Sequence, residues 1–262
     1  MNQAQVLWGS LRYEFAMQIR RRTLWIVFLA ITAIYVLNLG GRLFESQTYQ
    51  EVVRLPLNQV VSGYVFSTNL LTPVALGMLL ADRLPRDKQH GLHELLSSVP
   101  GTLSARLFGK YLGSLFATII PMGLCYLVSI SFLLYITHSI LVIPLMLVDF
   151  CLMVLPGLFF IAAFSLACSA FMWVPLYQFL FFGYWFWGNV LPPDNGLPTL
   201  SGTIMTPIGT YISTGILGYA QTPWVLHATL LEGIASLLFL LLTPLAVLFI
   251  LQHYLCWQQA RQ

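Results

Sequence analysis

Charge is what this chain lacks: 12 Lys and Arg and 9 Asp and Glu make up only 8% of its 262 residues, whereas a soluble domain carries about a quarter. That scarcity excludes a soluble globular protein. Disorder is excluded as well, because disordered chains are poor in apolar residues and rich in charge, and here 58% of residues are hydrophobic and 14% aromatic. With a mean hydropathy of +0.80, what remains is a polytopic membrane protein. A net charge of +3 is too small to argue for DNA or RNA, and no nucleic-acid partner is expected.

Catalytic and metal-binding signatures are also missing. Cys125, Cys151, Cys168 and Cys256 stand singly in or beside apolar runs, with no CxxC and no spacing suited to zinc or a disulfide framework, so they read as small core residues. A Walker A loop fails: Gly109-Lys110 is followed by Tyr111, and Ser104 stands where its first glycine belongs. His93-Glu94 lacks the second histidine of HExxH, because position 97 is Ser97. His90 and His93 lie one turn apart with no third ligand in evidence, and they read as solvated loop histidines. No GxSxG nucleophile elbow occurs. The expectation is a chain that is not an enzyme and binds no metal or cofactor of its own.

What the chain does have is long apolar runs. A bilayer core of about 30 Å needs roughly 20 apolar residues per helix, and six runs approach or exceed that: 23–40, 58–81, 108–137, 145–170, 173–191 and 227–252. Alternating them across the membrane puts Arg12, Arg20, Arg21, Arg22, Arg83, Arg86, Lys88, Arg106, Lys110 and Arg261 on one side and only Arg42 and Arg54 on the other. Positive charge prefers the cytoplasm, so both termini are expected inside. No small-residue cleavage site follows the first run, which is expected to stay as a signal anchor.

Residues 1–22 carry Leu7, Leu11, Phe15 and Ile19 four apart, opposite Arg12 and Gln18. The spacing predicts a helix lying in the membrane plane, with Arg20, Arg21 and Arg22 as interface anchors reaching lipid phosphates, and Lys110 as another at the mouth of the third span. A plain topogenic flank accounts for the arginines equally well. Gly109 and Gly113 form a GxxxG, which by itself is weak evidence for dimerisation. Segment 192–226 holds five prolines and one charge, Asp194, and reads either as short helices dipping back into the outer leaflet or as a compact external cap.

Polar and aromatic stripes mark a candidate pathway. Asn58, Ser62, Asn69 and Thr72 share one arc of the second span, and Tyr177, Phe181 and Tyr184 belong to a run of ten aromatics between 171 and 187. Interhelical hydrogen bonding, and an aromatic belt, explain the same residues. Asp149 and Glu232 each lie about a turn inside the expected outer end of a span, where pairing with a polar neighbour or reach to the interface competes with function. No carboxylate is expected at mid-depth, which counts against a proton-coupled carrier.

The cytoplasmic segment 82–107 is the most informative. Leu92, Leu95, Leu96 and Val99 line one edge of a short helix ended by Pro100, and Thr102 or Ser104 starts the next. Lys88-x-x-Gly91-x-x-Glu94-Leu95-Leu96-x-x-x-Pro100, followed by Gly109-Lys110, resembles the hallmark loop of the ABC-2 type permeases, the membrane subunits of ATP-binding cassette exporters. Leu92 stands where that family usually has threonine, and Arg86-Asp87-Lys88-Gln89 replaces its usual acidic and basic lead. The resemblance implies an all-α, six-span permease half with an N-terminal interfacial helix, in the plasma (inner) membrane among its lipids. It pairs with a second permease half, identical or different, and with a cytoplasmic ATPase that carries ATP and Mg. It further implies a coupling helix, Gly91 within it, in which Asp87, Lys88 and Glu94 make polar contacts, Leu95 and Leu96 pack, and Pro100 is the stop. The cargo implied is hydrophobic or amphipathic.

Overall fold

A computed structural model describes residues 3–44, 56–83, 85, 102–191, 198–219 and 227–260. Among them all regular structure is helical: α1 (Gln3–Ile19), α2 (Arg22–Phe44), α3 (Leu57–Leu80), α4 (Leu103–Thr137), α5 (Val142–Phe171), α6 (Val174–Val190), α7 (Thr210–Gly215) and α8 (Leu230–Ala260). Four of these, α3, α4, α5 and α8, are long and apolar enough to cross a membrane. Helices also occupy the other two expected runs, α2 with a shorter apolar stretch at Arg22–Leu37 and α6 with 17 residues.

Local chemistry explains the ends. The Thr102 side chain, one of the two caps the sequence offers, accepts a hydrogen bond from the Ala105 N–H and starts α4, and His138, at φ 50°, ends it in the left-handed region. Extended Met172 separates α5 from α6, whose first turn holds Pro175, where a missing N–H costs nothing. A capping box opens α8: the Thr229 N–H donates to Glu232 Oε2 at 2.7 Å, and the Glu232 N–H donates back to Thr229 Oγ1 at 3.3 Å. Glu232, an acid expected inside the sixth span, thus lies partly exposed at the helix start.

The core gathers around α3, where Val61, Val65, Leu76 and Leu80 are fully buried, with Leu115 and Met122 of α4 and Leu158 and Leu166 of α5 packed near them. The outer surface is also apolar, as at Leu238, Leu242, Phe249 and Ile250 on α8. In water such a surface would drive association; in a bilayer it is the solvated face. α5 carries a π turn at Phe150–Val154, and α4, at 35 residues, is about 52 Å long at 1.5 Å per residue, well over a bilayer core. Its surplus is the first third, the part against which α1 lies.

Candidate functional site

The expected coupling residues Asp87, Lys88, Gly91, Glu94, Leu95, Leu96 and Pro100 lie outside the described residues. Their two flanks do not, and both are held by α1. Small residues on α4 make the seat: a Cβ on Gly109 would come within 2.7 Å of Ser10 Cβ, and one on Gly113 within 2.6 Å of the Leu11 carbonyl oxygen. The GxxxG therefore joins two helices of one chain, by the close backbone approach that such pairs permit.

Into this seat α1 turns polar groups. Glu14 is 3% exposed, accepts a hydrogen bond from Ser114 Oγ at 3.0 Å and pairs with Arg83 Nη1 at 3.2 Å. Gln18 is fully buried, while Leu7, Leu11, Phe15 and Ile19 are only half-buried. Gln18, which the sequence places opposite the apolar stripe, thus lies on the protein side: Glu14 has charged and hydroxyl partners there, and the leucines are free to face lipid. The Ser10 hydroxyl donates to the Arg106 carbonyl at 3.2 Å, so the return flank is tied as well.

The arginine triplet divides. Arg21 donates to both oxygens of Asp82, at 3.2 and 2.5 Å, which raises its pKa further above the ordinary value against the opposing pull of partial burial. Arg20 and Arg22 are exposed. Lys110 is half-buried beside Gly109. Glu14 was missed by sequence reasoning, although it is the lone acid in a segment with four arginines, Arg12, Arg20, Arg21 and Arg22.

The pathway candidates are largely closed into packing. Asn58 Oδ1 accepts from the Gln59 N–H, Ser62 bonds the Gln59 carbonyl, and Thr72, 1% exposed, bonds the Thr68 carbonyl. Tyr177 shares a 2.8 Å hydrogen bond with Ser165, Phe181 lies over Gly77, and Trp185 Nε1 donates to the Leu70 carbonyl at 2.7 Å. Tyr184 is exposed on the far face of α6 and is not brought to the others.

Asn69 has a different partner: its Nδ2 donates at 2.8 Å to the carbonyl of Ile208, in the segment between α6 and α8. Asn69 is twelve residues into α3, about 18 Å along it. The neighbouring Pro207 carbonyl sits where a Cβ on Gly157 would collide with it, and Gly157 is mid-length in α5. The tip of this segment therefore reaches the middle of two long helices. Thr206 donates to Asn189 at 3.0 Å, and the Tyr219 hydroxyl donates to Asp149 Oδ1 at 2.7 Å. Burial, then the carboxylate itself, push the Tyr219 phenol up, so it stays a donor. Asp149 is fully buried seven residues into α5, deeper than the single turn expected, at the start of the π turn. Its Oδ2 and the buried Tyr126 hydroxyl have no hydrogen-bond partner among the described residues.

No family model, curated protein or solved structure matches the chain.

Proposed function

We propose that the chain is the membrane subunit of an ATP-driven exporter, one half of a permease that crosses the plasma (inner) membrane six times with both termini in the cytoplasm. Residues 86–100 form its coupling helix in a cleft of a separate ATPase, which binds ATP and Mg. Closure of two ATPases rocks two permease halves and carries a hydrophobic or amphipathic molecule outward. The segment around Ile208 is re-entrant from the outer side.

The observation that supports this reading best is the clamp on the segment's flanks. Arg83 precedes it and Arg106 and Ser114 follow it, and all three bond α1 through Glu14 and Ser10. A coupling helix transmits force only if its ends are fixed to the spans it drives. An ordinary cytoplasmic loop needs no such buried anchorage.

The test is a mild-detergent pull-down of the tagged chain from its native membranes, with mass spectrometry and an ATPase assay on the eluate. A co-purifying Walker-containing subunit with ATPase activity is expected. If none is retained, even after crosslinking at residues 86–100, the reading falls. A second reading, an ion- or proton-coupled carrier, is favoured by the buried Asp149 with its unpartnered Oδ2. Its mark would be gradient-driven transport without nucleotide, abolished by Asp149→Asn.

A further inference from the structure

An open groove of about 490 Å³ runs between the outer side of α1 and α4, lined by Trp8, Leu11, Arg12, Phe15, Ala16 and Phe116. Its walls are apolar except for one exposed cation, Arg12. No described acid answers that cation: Glu14 pairs with Arg83, Asp82 with Arg21, Asp149 with Tyr219, and Glu232 caps α8. Arg12 is exposed and engaged by none of the described carboxylates, so an anionic group beside the groove can reach it.

The groove's depth identifies the source. Contacts climb α1 and α4 together, from Ser10 with Arg106, through Leu11 and Phe15 with Gly113, to Glu14 with Ser114. The Glu14, Arg83 and Ser114 cluster lies level with the end of α3, just past Leu80. Phe116 is two residues further along α4, on the bilayer side of that level, whereas Trp8 and Arg12 lie toward its start. An aromatic and aliphatic trough that enters the hydrocarbon, with a guanidinium and an indole at its outer end, has the polarity of a phospholipid.

We propose that this groove binds one anionic phospholipid of the cytoplasmic leaflet, its phosphate on Arg12 and an acyl chain along Leu11, Phe15, Ala16 and Phe116. The site rests on membrane insertion with the N-terminus inside, and not on the exporter reading. It gives α1 a specific lipid partner besides α4.

The test uses the full chain purified in maltoside detergent and titrated with dioleoylphosphatidylglycerol or dioleoylphosphatidylcholine, with bound lipids counted by native mass spectrometry. One phosphatidylglycerol is expected to bind in preference to phosphatidylcholine. Arg12→Gln, an exposed change that leaves packing intact, weakens phosphatidylglycerol about fivefold and leaves phosphatidylcholine unchanged. Ala16→Trp fills the trough and weakens both. Arg20→Gln, outside the groove, leaves the site intact. Equal affinity for the two lipids in the parent chain overturns the proposal. Equal losses in the Arg12 and Arg20 variants overturn it in favour of diffuse attraction, and a chain dimer dispersed by Ala16→Trp gives the groove to a second copy instead.

Discussion

Glu14 and Arg83 form an ion pair at 3.2 Å with side chains only 4% and 2% exposed, joining α1 to the exit of α3. A pair so far from water is expensive to form and more expensive to break, since removing one partner strands the other charge in low dielectric. Glu14→Ala and Arg83→Ala are each expected to lower stability by about 3–5 kcal/mol, read as earlier thermal unfolding of the detergent-solubilised chain. The double change Glu14→Met with Arg83→Met removes both charges and is expected to recover most of that loss. A double variant as unstable as the two single ones added together would show that the residues do not act as a pair.

Gly113 offers a steric test of the same joint. A methyl there meets the Leu11 carbonyl at 2.6 Å and the Phe15 nitrogen at 3.2 Å, and backbone cannot turn aside as a side chain can. Gly113→Ala is therefore expected to cost about 1–3 kcal/mol through strain and to expose α1 to protease. Gly123, on the same helix, has nothing within 4 Å of its Cβ position. Gly123→Ala is expected to be neutral or to stabilise by up to about 1 kcal/mol. Equal behaviour of the two variants would mean that α1 does not sit on Gly113.

Much of this architecture was legible because bilayer length and apolarity act locally. The runs 58–81, 108–137, 145–170 and 227–252 needed only counting, and the break near 171 lay between the runs 145–170 and 173–191. Thr102 was legible as a cap for the same reason. What the sequence hid were pairings across distance. Glu14 and Arg83 carry no joint signature, and Arg83 counted only as a topogenic charge until the fold brought it to α1. Gly109 and Gly113 showed a close-packing surface but not its partner. The apolar stripe of α1 did not show which face meets the protein, because lipid and protein both accept leucine while a buried carboxylate needs partners that only protein supplies.

The tip of the segment between α6 and α8 is held by Asn69, whose Nδ2 donates to the Ile208 carbonyl, and by Tyr219, whose hydroxyl donates to Asp149. Asn69→Leu leaves a buried carbonyl unanswered, and Tyr219→Phe takes the only described donor from Asp149 Oδ1. Each is expected to cost about 1–3 kcal/mol, with faster labelling of a cysteine placed at Met205, which is exposed. Tyr211→Phe, which loses a bond to the Gly202 carbonyl within the segment, should leave labelling of that cysteine much closer to the parent. Unchanged labelling in both the Asn69 and Tyr219 variants would mean that the tip is held by packing alone.

Coupling itself is addressed by Glu94, the acid of the Glu94-Leu95-Leu96 core. If the segment seats in an ATPase cleft, reversing this charge replaces an attraction with a like-charge contact, which costs several kcal/mol at a desolvated interface. Glu94→Arg is therefore expected to abolish co-purification of the ATPase or its stimulation by transport, while membrane insertion and thermal unfolding stay at parent values, because Glu14 holds Arg83 and Ser114 directly. The Glu14→Ala variant should behave in the opposite order, unfolding earlier and losing coupling only as the flanks loosen. Transport unchanged by Glu94→Arg would remove Glu94 from the lever while leaving the clamp of Glu14 on Arg83 standing.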